Sequence, residues 1–397
     1  MKYNFDEFPS RYGTNCFKWD KMADAFSPNA KWPLFVADMD CVSAPEILDA
    51  LRARVDHGVF GYTYVGDGYL EAVKNWEKNR HNFEIEKDWI LFTPGVVPGI
   101  FWIVQNFTEP GENVLVFKPV YNPFFNAIEK QGRKIVSSDL VCDENGHYSI
   151  DFADMEQKIV DNNIKLMIFC SPHNPVGRAW TKEELEQVIA ICKKHNVLIV
   201  SDEIHQDIVF EGHKHIPTAS LAGDYLNNTF TVTAATKTFN LAGLQNSILM
   251  IPDEEKRNII KTFQSDSIEI TGGNLFGYVA VEAAYTKGEA WLEEMLTYVK
   301  GNYDYLVDFC KEKLPMLKIT PLEATYLAWV NFKEFGMTDD ELRDFLINDC
   351  FIAPNMGNVY GENAVGYVRL NIGCPRSMLE NALNDLYAGC KAKGLCD

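Results

Sequence analysis

The chain has 397 residues, of which 47% are hydrophobic and 13% aromatic, and its formal net charge is −19. This composition predicts a globular protein with two or three packed units and excludes an intrinsically disordered chain. The strong negative charge argues against nucleic acid or an anionic membrane surface as a partner.

Neither a secretory signal nor a membrane span is expected from this sequence. Residues 1–7 lack the apolar core of a signal peptide, and no apolar run is long enough to cross a bilayer. The ten cysteines include no CxxC pair, which is typical of reduced thiols in the cytosol. We therefore expect a cytoplasmic protein.

The ends of the chain differ in pattern from its middle. Residues 1–45 are too short and irregular to form a domain, and residues 46–288 contain the regular strand and helix patterns. Residues 289–397 read as a smaller α+β unit, with helices predicted at 290–314 and 339–348 and strands near 328–330 and 366–370. We expect the N-terminal segment to pack against this smaller unit.

A possible phosphate site comes first among the functional features along the chain. Residues 92–99, Phe-Thr-Pro-Gly-Val-Val-Pro-Gly, precede a helix predicted through 100–107. Exposed amides at a helix N-terminus bind phosphate readily, and Pro98 is tolerated in a first helical turn. This turn therefore predicts a binding site for a phosphorylated ligand.

The middle of the chain alternates short apolar runs with helical stretches. The predicted strands span residues 113–117, 166–169, 197–201, 230–233 and 248–251. Each is apolar almost throughout, as expected for parallel strands that are covered on both faces. Residues 181–195 form a predicted helix between two of them, with Thr181 and Glu184 at capping-box spacing. The pattern favours a mostly parallel α/β sheet.

Polar and aromatic side chains follow the ends of these strands. They are Tyr121, Asn174, Asp202 and Lys237. Ligands of open parallel sheets gather beyond the carboxyl ends of the strands. We therefore expect Asn174, Asp202 and Lys237 to meet at one rim, with Tyr121 following a further strand.

These residue types suit one cofactor, pyridoxal phosphate (PLP). The pKa of a lysine at the end of an apolar stretch falls, and its neutral amine condenses with the PLP aldehyde. A carboxylate such as Asp202 would keep the pyridine nitrogen protonated, and the amide of Asn174 would donate to the phenolic oxygen. Tyr121 would stack on the ring. Arg369 would bind the carboxylate of an amino-acid substrate through its bidentate fork.

Four segments of the chain form a recognisable set: Asn174-Pro175-Val176-Gly177, Asp202-Glu203-Ile204-His205, Thr236-Lys237-Thr238-Phe239-Asn240 and Val368-Arg369-Leu370-Asn371. With them the sequence resembles the fold-type I PLP enzymes of the aminotransferase class I/II superfamily across nearly the whole chain. A second set comprises Phe5-Asp6, Arg11-Tyr12-Gly13-Thr14-Asn15, Lys18-Trp19-Asp20, Val36-Ala37-Asp38-Met39-Asp40 and the Asp-Glu-Ile-His form at 202–205. This second set carries a closer resemblance, to the MalY/PatB family of carbon–sulfur β-lyases.

The resemblance implies a fold and a set of cofactor contacts. The fold would be a large domain with a mostly parallel, seven-stranded type of sheet flanked by helices, plus a smaller α+β domain built from the two termini. Lys237 would carry PLP, Asp202 would pair with its ring nitrogen, and Asn174 would bond its phenolic oxygen. The resemblance also implies that the backbone amides which bind the phosphate are those of Gly95, Val96 and Val97.

A homodimer with shared active sites is a further implication, because Tyr62 would reach the phosphate in the neighbouring subunit. Some positions depart from the superfamily pattern. His205 stands where many aminotransferases have Tyr, and either contacts the ring or packs as a core histidine. Gln245 lies where a phosphate-binding Arg is often found, so the phosphate would depend more on the backbone amides, Thr236 and Tyr62. Tyr12 replaces a second Arg.

The leading functional hypothesis is PLP-dependent β-elimination from a sulfur amino acid such as cystathionine or a cysteine S-conjugate, giving a thiol, pyruvate and ammonia. An aminotransferase is the alternative that shares the early chemistry. A binding or regulatory protein with the same fold and little turnover is the alternative from another class. No metal is expected, since Glu211, His213 and His215 read as solvated loop residues.

Overall fold

The computed structural model describes residues 2–270 and 272–396. Its strands β1 to β15 span Trp32–Pro33, Ile90–Thr93, Asn113–Val116, Lys134–Ser137, Val141–Cys142, Tyr148–Ser149, Leu166–Cys170, Leu198–Asp202, Thr229–Thr233, Ser247–Met250, Lys318–Ile319, Leu327–Asn331, Ile352–Ala353, Asn355–Met356 and Tyr367–Asn371. Its helices α1 to α14 span Phe17–Asp20, Met22–Ala25, Pro45–Asp56, Asp67–His81, Val96–Phe107, Pro123–Glu129, Phe152–Asp161, Lys182–His195, Ala235–Thr238, Glu254–Thr262, Leu275–Lys287, Glu289–Lys313, Asp339–Asn348 and Arg376–Ala392.

The main sheet has seven strands in the order β2-β10-β9-β8-β7-β3-β4. Strands β9, β8, β7, β3 and β4 run parallel to one another. Strand β10 is antiparallel to both β2 and β9. The predicted α/β class, with a mostly parallel seven-stranded sheet flanked by helices, is confirmed.

Both faces of this sheet are buried, which explains the apolar runs. Alternate residues of a strand point to opposite faces. Leu115 and Met167 pack on the face covered by α7 and α8, whereas Val114 and Ile168 pack on the face covered by α5 and α6. The helix predicted at 181–195 forms as α8, and Thr181 and Glu184 make the expected capping box.

The direction predicted for one strand of the main sheet was wrong. Residues 248–251 read as a parallel strand, but β10 is antiparallel to its neighbours. Between β9 and β10 the chain forms the four-residue helix α9 and the short 3-10 helix Ala242–Leu244. This connection is too short to return the chain to the other end of the sheet, so β10 begins at the rim where β9 ended. Strands β2 and β4 were not predicted, and β4 is a partly exposed strand at the edge of the sheet.

The C-terminal region forms a second, antiparallel sheet in the order β11-β12-β15-β14. The N-terminal segment joins this region, since β1 pairs in parallel with β13. The helix predicted at 339–348 has these bounds, and the one predicted at 290–314 forms as α12. The domain boundaries after residues 45 and 288 stay predictions.

Among the residues that the structure describes, no helix combines the length and apolar character needed to cross a membrane.

Candidate active site

A cavity of about 190 Å³ lies at the carboxyl ends of β7, β8 and β9. The predicted site residues that line it are Gly95, Val96, Val97, Tyr121, Asn174, Asp202, His205, Thr236 and Lys237. Gln245 also lines it. A larger groove of about 720 Å³ beside α10 is open to solvent, and none of the predicted residues lines it.

Strand register explains why residues so distant in sequence converge here. Asp202 is the last residue of β8 and lies opposite Cys170, the last residue of β7. On its other side Asp202 lies opposite Val232 of β9, and α9 with Lys237 begins shortly after that strand. Three adjacent strand ends therefore supply the floor of the cavity.

Lys237 is enclosed in this cavity. Its Nζ donates a hydrogen bond to the carbonyl oxygen of Ala37 at 2.5 Å. Burial lowers the pKa of Lys237 to about 8, although the carboxylates of Asp38 and Asp202 act in the opposite direction. A sizeable fraction of the amine is therefore neutral and nucleophilic near pH 8.

Asp202 is 2% exposed and supplies the buried carboxyl of the site. Its Oδ1 accepts a hydrogen bond from the backbone N–H of Ile204 at 3.1 Å. Burial raises the pKa of Asp202 to about 7, and the neighbouring Glu203 adds to the effect. A carboxyl with this pKa would ionise fully once a positive partner such as a pyridinium N–H lies beside it.

Asn174 lines the cavity and forms a hydrogen-bonded pair with Arg369. Arg369 donates from one Nη to Asn174 Oδ1 at 3.1 Å and from the other to the carbonyl oxygen of Phe35 at 2.8 Å. The Nε of Arg369 is buried and has no hydrogen-bond partner among the described residues. The structure therefore brings Arg369 next to Asn174 of the cavity wall, although Arg369 is not itself a lining residue, and leaves its Nε–H without an acceptor.

Tyr121 is held close to Asn174 by the backbone. The N–H of Tyr121 donates to the carbonyl oxygen of Asn174 at 3.1 Å. Its ring meets Phe124 edge to face, with the centroids 5.8 Å apart. Burial raises the pKa of the Tyr121 phenol, so the hydroxyl stays protonated at neutral pH. The side chain is placed to offer a neutral aromatic face to the cavity.

The N-terminus of α5 faces the cavity. Val96 and Val97 are its first two residues, so their N–H groups have no acceptor within the helix. The N–H of Gly95, in contrast, donates to Thr93 Oγ1 at 3.2 Å. Val96 and Val97 are therefore better placed than Gly95 to donate to an anion.

His205 is 2% exposed, and its Nδ1 has no hydrogen-bond partner among the described residues. Its ring lies edge to face with Tyr326, 6.1 Å between centroids. Burial lowers the pKa of His205 to about 3, so the ring is neutral at physiological pH. Because one ring nitrogen has no partner and the residue lines the cavity, these contacts favour a ligand-contacting role for His205 over core packing.

Tyr62 lies apart from the cavity in this chain. Its side chain is fully exposed in an irregular segment between α3 and α4. The exposed rings of Phe60 and Tyr64 lie in the same segment, which lines a separate groove with residues such as Phe276. The structure therefore does not bring Tyr62 to the other predicted site residues within one chain.

The prediction that His215 is a solvated loop residue was wrong. His215 is 4% exposed, and its Nε2 lies 3.0 Å from Glu203 Oε2. His213 is exposed, as predicted. Within residues 2–270 and 272–396, no group of three or more His, Cys, Asp or Glu side chains is arranged to hold a metal ion.

Sequence reasoning missed several residues of the cavity, among them Ala37 and Ser247. The Ala37 carbonyl that accepts from Lys237 belongs to the N-terminal segment, and a backbone carbonyl leaves no mark in a sequence. Ser247 lines the cavity because β10 is antiparallel, which places its first residue at the rim, opposite Thr93. The correct direction of this strand would have indicated Ser247.

Comparisons with known proteins identify the family of this chain. The family model for aminotransferase class I and II matches residues 43–386. The cystathionine beta-lyase PatB of Bacillus subtilis is 41% identical over 97% of this chain and 99% of its own length, and protein MalY of Escherichia coli is 32% identical over 98% and 99%. The solved structure of the PLP-bound C-S lyase from Staphylococcus hominis superposes with a TM-score of 0.91, at 35% identity over 98% of both chains. The chain therefore belongs to the aminotransferase class I and II family.

Proposed function

We propose that this protein is a PLP-dependent carbon–sulfur lyase that eliminates a thiol from a sulfur amino acid. The observation that carries this proposal is the joint enclosure of Lys237, Asp202 and the α5 N-terminus in one cavity. The chain with this cavity is 41% identical to a cystathionine beta-lyase over almost its full length.

The residues of the cavity fit PLP group by group. Lys237 supplies an amine with a lowered pKa for the aldehyde, and the buried carboxyl of Asp202 suits the ring nitrogen. The N–H groups of Val96 and Val97, which lack helical acceptors, suit the phosphate. The unpartnered Nε of Arg369 is a second sign that a polar ligand belongs here.

When bound, PLP supplies an aldehyde that condenses with amines and a ring that withdraws electrons from the substrate's Cα. The protein's own groups would hold both molecules. Asn174 would donate to the phenolic oxygen, Tyr121 would cover one face of the ring, and Thr236 would add a hydroxyl near the phosphate. His205 would contact the ring as a neutral imidazole. Gly95 contributes the N-cap that exposes the following amides.

Lys237 and Arg369 would perform the steps on the substrate. The fork of Arg369 would bind the substrate carboxylate and so fix the direction of the Cα–H bond. The amine of Lys237 would remove the Cα proton. The Cβ–S bond would then break, sulfur would leave with the bonding electron pair, and a proton would convert it to the thiol. Water would hydrolyse the remaining three-carbon enamine to pyruvate and ammonia.

An aminotransferase activity is the second candidate. The specific observation in its favour is the match to the aminotransferase class I and II model, since the same cavity would serve both reactions up to loss of the Cα proton. Relatives with aminotransferase names match less closely, at 24% and 25% identity. The lyase therefore remains the leading proposal.

The deciding experiment is to incubate the PLP-loaded protein with L-cystathionine, and separately with a cysteine S-conjugate, in the absence of a keto-acid acceptor. We expect equal amounts of pyruvate and thiol, with Lys237→Ala as the inactive control. Product formation that requires an added keto acid would select the aminotransferase. No turnover under either condition would favour a binding or regulatory protein.

A homodimer with shared active sites is part of the same proposal. It is supported by the exposed apolar and aromatic side chains near Tyr62, which are Val55, Val59, Phe60 and Tyr64, because a patch of this kind marks an interface. Tyr62 would then complete the phosphate site of the second subunit. Mixing Lys237→Ala chains with Tyr62→Ala chains should restore activity, since one site of each hybrid would have both wild-type residues. Unrestored activity in verified hybrids would contradict shared sites.

A cytoplasmic location is also proposed. It is supported by the ten cysteines, all of which are described and form no disulfide. Fractionation of cells that carry a tagged full-length chain would test it, and enrichment outside the cytoplasm would contradict it.

A further inference from the structure

A buried polar cluster lies behind the cavity and is centred on Asp207. This carboxylate is 2% exposed. It accepts hydrogen bonds from Thr238 Oγ1 at 2.8 Å, from Trp76 Nε1 at 2.9 Å and from His81 Nε2 at 2.8 Å. The Nε of Arg80 lies 3.3 Å away. Four donors therefore converge on one side chain that the proposed chemistry does not use.

The partners of Asp207 connect the elements that carry Asp202 and Lys237 of the cavity. Asp207 itself lies in the loop that follows β8, a strand that ends at Asp202. Thr238 is the neighbour of Lys237 and the last residue of α9. The remaining donors come from the end of α4. The carboxylate of Asp207 thus joins three elements, which are the loop after Asp202, helix α9 with Lys237, and helix α4.

Helix α9 needs such an anchor because it has only four residues. A single helical turn is not stable by itself, so its position depends on contacts with the rest of the protein. Thr238 does not line the cavity and is completely buried. Its hydroxyl donates a hydrogen bond to Asp207 and so ties α9 to that buried carboxylate.

The carboxylate of Asp207 is charged in this setting. Burial alone would raise the pKa of Asp207, but the hydrogen bond from His81, helped by the charge of Arg80, outweighs it and lowers the pKa. Burial keeps the pKa of His81 below its usual range, so a neutral imidazole donates from Nε2. Hydrogen bonds to an ionised acceptor are stronger than neutral ones, which makes Asp207 an effective anchor.

We propose that Asp207 is a positioning residue that sets the location of Lys237 through the hydroxyl of Thr238. The proposal deepens the proposed function and rests on it, because it assumes that Lys237 holds PLP and removes the substrate proton. Asp207 does not line the cavity, and it acts on Lys237 only through Thr238. It keeps the amine at the distance that those two tasks require.

The test compares Thr238→Val, which keeps the side chain's shape and removes the hydroxyl, with Thr238→Ser, which keeps the hydroxyl. The matched control is Thr229→Val. Thr229 is also buried, and it is the first residue of β9, at the end of that strand away from Lys237. Its Oγ1 donates to Leu226 O at 2.8 Å. Backbone amide exchange at 235–239, the visible band of lysine-bound PLP, kcat and KM are measured for each.

For Thr238→Val we expect kcat to fall about tenfold with KM changed less than about twofold, since one hydrogen bond to a charged group is lost. Amide exchange at 235–239 should become about tenfold faster, and the PLP band should weaken. Thr238→Ser should restore all three readouts, and Thr229→Val should leave them unchanged.

The proposal is overturned if Thr238→Val and Thr229→Val behave alike, or if exchange at 235–239 stays at the wild-type rate. If Thr238→Val does not fold, Asp207→Asn decides by the same readouts, because it keeps the side chain's shape and removes the charge. The exchange measurement does not depend on turnover. A wild-type protein without lyase activity would therefore count against the proposed function, and unchanged exchange in the variant would count against the anchor.

Discussion

The cavity around Lys237 and the exposed segment around Tyr62 contrast sharply. In the cavity, residues from separate strand ends are buried together, and Lys237 and Asp202 have pKa values shifted by that burial. The segment near Tyr62 has no regular structure, and its aromatic side chains are exposed. A single chain therefore forms the cavity around Lys237 but leaves the side chains around Tyr62 exposed to solvent.

The difference teaches which parts of the site a single chain fixes. The parallel sheet alone dictates that Asn174, Asp202 and Lys237 share a rim. No element of this chain dictates what Tyr62 contacts. Variants of the two regions should therefore differ in size of effect and in dependence on subunit pairing.

The largest effect is expected from Lys237→Ala. The variant lacks both the amine that holds PLP and the base for the Cα proton, so we expect kcat to fall about 10⁴-fold. The visible band of lysine-bound PLP should be absent from its absorption spectrum. Lys130→Ala, which changes an exposed lysine, is the control and should retain both. A Lys237→Ala protein with a normal band would show that the cavity is not where PLP is attached.

The pH dependence of PLP capture by the cofactor-free protein should show the next largest effect. Lys237 is protonated below its pKa of about 8 and neutral above it. The capture rate should therefore rise with pH, with a midpoint near 8, and at pH 6 it should be about a hundredfold below the plateau. Stopped-flow absorbance measures it. A midpoint near the ordinary lysine value of 10.5 would show that burial does not shift this amine.

Sequence reasoning succeeded where local rules determine position. The apolar runs identified the central strands, and the residues after them lie at the cavity, as β7 with Asn174 and β8 with Asp202 illustrate. It failed where position depends on chain direction or on distant contacts. Ser247 was missed because β10 is antiparallel. His215 was misread because a sequence does not show that Glu203 lies beside it.

Arg369→Lys should give an intermediate effect on the cavity. A lysine keeps the charge and loses the bidentate fork, so we expect KM for the amino acid to rise about thirtyfold with a smaller change in kcat. Steady-state kinetics with pyruvate detection measures both. Arg52→Lys, at an exposed ion pair, is the control. An unchanged KM would assign Arg369 to a structural role, through its hydrogen bonds to Asn174 and to the carbonyl oxygen of Phe35.

The smallest effect is expected in the exposed segment, from Tyr62→Phe. Loss of one hydroxyl donor to the phosphate should weaken PLP retention about tenfold, measured as the free PLP concentration at half-saturation. Tyr64→Phe tests whether the effect is specific, since both rings are exposed in the same segment. Equal effects of the two variants would remove the special role proposed for Tyr62.

The most direct measurement is a crystal structure of the PLP-loaded protein. We expect electron density that joins Lys237 Nζ to the aldehyde carbon of PLP, with the carboxylate of Asp202 at the ring nitrogen and the Asn174 amide at the phenolic oxygen. Density for PLP outside this cavity, or a ring nitrogen that faces a group other than Asp202, would contradict the assignment of these side chains to one cofactor.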